Sequence, residues 1–483
     1  MHRDISQNRF RNFRFNQLLL VVVVSVGLFL IQSLALGNGV AVASLFALVP
    51  LLLSGLYLLF RNPLWTFGLL CLVNFFIQGA TRYVNIPLPI GVVFDVFLFL
   101  TFIVIVFHGY FHPNKEKKPI PPLYYLMLLW LVYCLLQLFN PESTAANWIT
   151  TIRGVAVYFV AFPLIVFLLL DKTKYLKRYI LFWGILILLA GLKAFVQKNI
   201  GLDSAERLWL YTYGAHTHVI YSGIRYFSFF GDAANFGCHM GLGIVVYSIV
   251  ALYEKSVKLK IFYWIVVAVA TYGMMVSGTR AAMAVPFAGL ACFIVIIRQW
   301  KLVVAGFIVF VLALFVFNFT TIGNSNDSMR RMRTAFQFEK DASYNLRKEN
   351  QQKMRAFMGD YPFGLGIGSA KHAEEGHLMD DMATDSSFVF IWVENGIVGV
   401  TLYVGLLLLV LGYGCYLVFF KLKQPYIRGV TSAFVSGYAG MLVAGYGNEV
   451  FHQFPTGPTL YICMAFIMLS PQFDKELMYE RKS

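Results

Sequence analysis

Arginine is the side chain that grips a phosphate by two parallel hydrogen bonds, and two arginines of this chain stand where nothing about topology asks for a positive charge. Arg280 closes Ser277-Gly-Thr-Arg280, wedged between two apolar runs with almost no loop around it. A charge so placed lies at a membrane edge, where it is costly unless it is paired or faces a wet cavity; the plainer reading is snorkelling to the interface. Arg225 opens Arg225-Tyr-Phe-Ser-Phe-Phe-Gly-Asp232-Ala-Ala-Asn235. Its aromatic residues fit an interfacial belt, and Gly231–Asn235 reads as a turn and cap that opens the next helix. Two or three arginines converging at the outer membrane edge would suit a lipid diphosphate, whose charge sits at headgroup depth.

A third source of chemistry is the one long polar stretch, Ile322 to Asp385. It carries Arg330, Arg331 and Arg333, then Arg347, Lys348, Lys353 and Arg355, and ends in Glu374, Glu375, His377, Asp380, Asp381 and Asp385. Between them runs Tyr361-Pro-Phe-Gly-Leu-Gly-Ile-Gly368. No strand–helix unit surrounds these glycines, so a dinucleotide loop is excluded; a flexible turn beside a ligand is expected. Phe388, Ile391 and Trp392 with Gly396 after them predict a short amphipathic helix lying on the membrane, with Asp385 or Ser386 as its N-cap.

These residues must be positioned by elements that dissolve in lipid. Hydrophobic residues make up 59% of the 483 and charged residues 13%, against roughly 45–50% and about 25% in soluble domains. Apolar runs near the length of a membrane span recur, without the alternating pattern of barrel strands. The fold class is therefore all-α: a polytopic transmembrane helix bundle of about 14 spans with one long external loop, 320–396, carrying short helices. The spans fall near 17–36, 39–60, 64–80, 88–108, 122–140, 154–170, 178–196, 234–253, 261–276, 281–298, 302–319, 397–419, 430–447 and 457–471. Lys and Arg gather in alternate connections: Arg3 to Arg14, Arg61, Lys115 to Lys118, Lys172 to Arg178, Lys255 to Lys260, Arg298 with Lys301, Lys421 to Arg428, and Lys475 to Lys482. The positive-inside rule then puts both termini in the cytoplasm and the long loop outside.

The formal charge of +15 is largely this topology signal meeting anionic lipid; no nucleic-acid motif accompanies it. Arg-rich residues before the first apolar run and Ser33-Leu-Ala35 resemble a cleaved signal, but the run is long and leads straight into a second span, so a retained anchor is expected. Six cysteines lie scattered in spans with no CxxC, which reads as packing and not as a disulfide framework or metal site. A solute transporter is the other class for a many-span chain. Carriers, however, place ionisable groups near the midplane and show repeated halves; here Asp95 is the one clear mid-span acid, and no repeat is evident.

The ordered set Arg225, Phe230-Gly-Asp-Ala-Ala-Asn235, Ser277-Gly-Thr-Arg280, Arg347, Tyr361–Gly368, Asp385-Ser and Glu394-Asn-Gly-Ile-Val-Gly399 resembles the O-antigen ligase/polymerase superfamily of bacterial membrane proteins. The likeness spans about residues 205–420, leaving 1–204 and 421–483 as flanking helices, the latter with a cytoplasmic tail. The resemblance implies a glycosyltransferase of the bacterial inner membrane that needs neither metal nor cofactor. Its substrate would be an undecaprenyl-diphosphate-linked oligosaccharide, and its setting the lipid bilayer and other envelope polysaccharide assembly proteins. It further implies that Arg225 and Arg280 are the paired external arginines and Arg347 the loop arginine, all substrate-binding, with Asp385 or His377 as catalytic base. Ligases of this family carry His-Asn where this chain has Asp385-Ser386, although His372 or His377 could substitute. That departure favours a surface-polysaccharide polymerase, with a ligase that transfers glycan to a lipid or protein acceptor as the alternative.

Overall fold

The computed structural model describes residues 55, 57–84, 89–111, 120–220, 223–297, 342–371, 378–379 and 382–480. Expected spans 17–36 and 302–319, most of 39–60, and His372 and His377 lie outside the described residues. Among those described, helices dominate: α1 (Pro63–Ala80), α2 (Ile90–Phe111), α3 (Leu123–Leu136), α4 (Ala145–Ile152), α5 (Tyr158–Leu169), α6 (Thr173–Asn199), α7 (Ser204–Trp209), α8 (Ala215–His218), α9 (Ala233–Tyr253), α10 (Val257–Val276), α11 (Arg280–Ile297), α12 (Ala342–Met358), α13 (Ser387–Tyr416), α14 (Pro425–Gly447) and α15 (Thr456–Glu480). A two-residue antiparallel ladder, Val219–Ile220 (β1) with Gly223–Ile224 (β2), closes the turn before Arg225. The chain is an all-α polytopic bundle: among the described residues nine helices are long and apolar enough to cross a membrane. The predicted span 122–140 is a shorter apolar helix, Leu123–Phe139. The predicted span 457–471 lies inside α15, whose Asp474, Lys475 and Glu476 make its C-terminal end polar.

The chain folds as two units, Met1–Cys71 with Asp95–Lys117, and Leu72–Phe94 with Lys118–Ser483. Within the first, Phe60 meets Phe107 edge to face at 6.1 Å, and Thr101 donates back to the Phe97 carbonyl at 2.8 Å. The second unit holds every residue discussed below. At its centre α9 and α14 are the most buried of the nine spans, and α11 packs on both. With no water to expel between lipid-dissolved helices, close backbone approach is what holds them. Gly440 of α14 touches the Val285 carbonyl of α11, and a methyl on Gly289 of α11 would stand 2.8 Å from the Ser436 carbonyl of α14. Hydrogen bonds inside the bundle add register: Trp183 donates to His239 Nε2 at 3.0 Å, and His239 Nδ1 lies 3.2 Å from Thr456 Oγ1, which also bonds Asn235.

Polar residues open the helices. Asp232 caps α9 by accepting from Ala234 N (2.6 Å) and Asn235 N (2.9 Å). Thr144 caps α4, and α7 begins with a full capping box of Asp203 and Glu206.

Candidate active site

Arg225 leaves the β1–β2 turn with its amide on the His218 carbonyl at 2.9 Å. His218 is 2% exposed. Its Nε2 accepts from Ala233 N (3.2 Å), so Nδ1 carries the proton and donates to the Gly214 carbonyl (3.0 Å). Burial pushes its pKa down to about 4, and the ring is a neutral strut. The Arg225 guanidinium is held on three sides: Nη2 donates to Thr279 Oγ1 at 2.7 Å, Nη1 to the Thr217 carbonyl at 3.0 Å and Nε to the Ser277 carbonyl at 3.4 Å. These use three of the five donors of the group.

The Ser277–Arg280 segment is a helix-to-helix hinge with almost no loop. α10 ends at Val276, Gly278 takes φ +58°, and α11 starts at Arg280. Ser277 is fully buried, and Thr279 donates to the Ala233 carbonyl at 3.0 Å, tying the hinge to the start of α9. The turn is packed against polar backbone. A cation at a helix N-terminus opposes the helix dipole, so Arg280 adds to an already positive end.

Arg347 arrives from α12. Residues 347, 350, 354 and 358 recur at three- and four-residue spacing, one face of a helix. Asn350, Met354 and Met358 of that face are buried, Met354 and Met358 against Leu365, Met379 and Val393. This carries Arg347 inward, while Lys353 on the other face pairs with Glu349 at 2.9 Å. Arg347 Nε lies 3.5 Å from Asp385 Oδ2 as an ion pair, both side chains half-buried. A methyl added to Gly447 would lie 3.3 Å from Ala281 Cβ and 4.0 Å from Arg347 Nη1. The loop arginine thus flanks the same glycine as the residue after Arg280. Burial is the main cause that lowers the pKa of Arg225; Asp232 opposes it, and the nearby charges of Arg280 and Arg347 lower it further. The three arginines therefore share one electrostatic neighbourhood, with Asp385 on Arg347. His377 lies outside the described residues. Among those described, no three His, Cys, Asp or Glu side chains converge as metal ligands.

Of the two expected N-caps Ser386 is the one that caps α13, accepting from Phe388 N at 3.3 Å, while two other local expectations need correction. Asp385 instead takes φ +23°, a region where Asp and Asn are the tolerated side chains. The segment Ser387–Asn395 does not lie on the surface: Phe390, Ile391, Val393, Glu394 and Asn395 are all buried. Gly396, at φ 67° and ψ −171°, breaks it from the rest of α13. It reads as amphipathic because its polar end turns inward to bind backbone.

The glycine run is a clasp and not a flexible turn. Gly364, Gly366 and Gly368 take φ of +81°, +80° and +97°, closed to most side chains. Methyls there would strike the Gly396 amide, Ser143 Cβ at 2.5 Å and the Asn147 carbonyl at 2.6 Å respectively. Hydrogen bonds close it from both sides. Leu365 N donates to the Val393 carbonyl (2.9 Å) and Gly368 N to Glu394 Oε1 (3.0 Å). Gln137, Asn140 and Ser143 donate to the Phe363, Gly364 and Ile367 carbonyls at 2.9, 3.0 and 2.7 Å. Period and composition could not show this, because the partners come from the α3–α4 connection more than 200 residues away.

Residues 265–404 match the family described as O-Antigen ligase. That match relates this stretch of the chain to the O-antigen ligase/polymerase superfamily. No curated protein matches the chain. The matched segment contains Arg280, Arg347, Asp385 and the glycine clasp. Arg225 precedes it and is joined to it through Ser277 and Thr279. Sequence reasoning passed over Gly447-Asn448-Glu449, between α14 and α15. Its one signal was an Asn-Glu pair interrupting an otherwise apolar tract.

Proposed function

We propose that this protein is a polymerase of a bacterial surface polysaccharide, transferring a polyprenyl-diphosphate-linked oligosaccharide to an acceptor sugar hydroxyl at the external face of the inner membrane. The observation that carries the reading is the gathering of Arg225, Arg280 and Arg347 in one neighbourhood, with a carboxylate 3.5 Å from the third. Three cations gathered at a membrane edge attract an anion, and a lipid diphosphate carries its charge at that depth.

In the proposed step the acceptor oxygen attacks the anomeric carbon of the donor, and the bond from that carbon to the diphosphate oxygen breaks. The hydroxyl proton passes to the Asp385 carboxylate, with His377 the alternative base. The lipid diphosphate leaves with its growing charge on Arg225 and Arg280, where fixed donors count most. Arg347 holds Asp385 in place and bridges the external loop to the site. No covalent enzyme intermediate, metal or cofactor is invoked, and the configuration at the anomeric carbon inverts.

Asp385→Asn isolates the base. Asn accepts the positive φ, and Ser386 keeps the cap, so fold and accumulation should be preserved. Loss of a half-exposed ion pair costs at most about 1 kcal/mol. Polymer formation should fall by about 10²–10⁴, the usual cost of a missing general base. Normal polymer in Asp385→Asn cells would remove Asp385 from the mechanism.

An external site requires both termini in the cytoplasm and α12 outside. A phosphatase-type reporter fused near Asn350 should be active, and one at the C-terminus inactive. Activity in the reverse pattern would invert the protein and refute the external site.

A further inference from the structure

We propose that Glu449, paired with Lys371, forms the acceptor-sugar side of the site; this rests on the transferase reading above. The connection from Gly447 to Val450 is where the separate parts of the site meet. Gly447 lies against Ala281 and the Arg347 guanidinium. On either side of Glu449, Ser387 holds the chain: its amide and hydroxyl donate to the Asn448 carbonyl at 3.3 and 3.1 Å, and its Oγ accepts from Val450 N at 2.9 Å. Ser387 is two residues from Asp385. Glu449 is thus held two residues from Gly447, by a clamp that stands two residues from Asp385.

Its side chain is set for a polar guest. Oε1 meets Lys371 Nζ at 2.6 Å, and Lys371 Nζ also lies 4.9 Å above the Phe390 ring. Beyond that ion pair, the buried Oε1 has no hydrogen-bond partner among the described residues. Close by, on the turn that ends the Ser387–Asn395 segment, Glu394 Oε2 and both amide atoms of Asn395 are buried without hydrogen-bond partners. The charges of Lys371 and Glu449 both act on Glu394. Buried polar atoms are normally satisfied, so this region is built to hold something polar.

Charge decides what that guest is. Arg225, Arg280 and Arg347 make a cationic site for a diphosphate, whereas the Lys371–Glu449 pair is neutral overall and its carboxylate repels phosphate. A carboxylate accepts hydroxyl protons and an ammonium donates to hydroxyl oxygens. With an aromatic ring beside them, the pair suits a neutral polyhydroxylated ligand. Diphosphate and glycan would therefore be sorted to different groups about Gly447, leaving the acceptor hydroxyl near Asp385.

The test uses the full-length protein in liposomes, with the lipid-linked repeat extracted from its own cells as donor and the delipidated repeat oligosaccharide as acceptor. Glu449→Gln should raise the acceptor KM about tenfold or more with kcat within about threefold, and leave the donor KM unchanged. Glu449→Asp should restore part of the loss, and Lys371→Met should move the acceptor KM the same way by less. If Glu449→Gln does not accumulate, Lys371→Met decides the matter alone. An unchanged acceptor KM, or a rise in the donor KM instead, overturns the acceptor assignment while Arg280→Lys still abolishes transfer. Absence of transfer by the wild-type protein overturns the reading beneath it.

Discussion

Arg280→Lys should nearly abolish polymer while the protein accumulates at wild-type level. Lysine keeps the positive charge, and with it any topology signal, but loses the planar fork that grips a phosphate through two parallel bonds. α11 begins at Arg280, so the substitution sits at a helix end where Lys has nearly the same propensity as Arg. Arg225→Lys is a poorer probe. It would also remove the bonds to Thr279, Thr217 and Ser277 and so mix binding with packing. Losing one donor to a developing oxyanion costs about 10²–10³ in rate, and the same range is expected here. Polymer length on a gel, beside an immunoblot for the protein, is the measurement. Wild-type length in Arg280→Lys cells would mean that Arg280 is a snorkelling cation and that no diphosphate is clamped.

The second large effect concerns the fold. In Gly364→Ala the new methyl would run into the Gly396 and Asn395 amides, backbone that cannot step aside, at a φ of +81°. The left-handed conformation alone costs about 1–2 kcal/mol, and overpacking typically adds about 1–3 kcal/mol. The clasp should open, freeing the 361–371 segment from α13 and from the α3–α4 connection. Limited proteolysis from the external side should then cut near Gly364–Lys371, and activity should vanish because α12, and Arg347 with it, loses its anchor. Gly359→Ala is the control: nothing lies within 4 Å of the added methyl, and its protease pattern should match wild type. Equal resistance of the two variants would show that the clasp does not hold the loop.

These two substitutions also mark how far the sequence could be read. Most spans among the described residues were legible because a lipid environment leaves the backbone one solution and imposes one length. The cap at Asp232 and the hinge at Ser277–Arg280 were legible for a related reason: both are local, decided by side chains within a few residues of the backbone they serve. Gly364, Gly366 and Gly368 were not. A glycine run looks the same whether it is loose or clasped, and Gln137, Asn140 and Ser143, which decide the matter, are remote in the chain. Ser387–Asn395 misled for a related cause, since an alternation of apolar and polar residues does not say whether the polar side meets water or buried backbone. Glu449 was hidden in the same way. It is one acid in a short connection, and its pairing with Lys371 exists only once α14 has packed against α11 and Ser387 has closed on the connection.

The central claim is that this membrane protein itself moves a glycan from a lipid diphosphate to a sugar hydroxyl. Purified full-length protein in liposomes, supplied with the lipid-linked repeat from its own cells and no other protein, tests it most directly. Mass spectrometry should show glycans lengthened by whole repeats, with one polyprenyl diphosphate released per repeat joined. Asp385→Asn should bind the lipid but release at least about a hundredfold less, and Arg280→Lys should be impaired in both. Repeats that stay single and lipid-linked in the presence of wild-type protein would contradict the account.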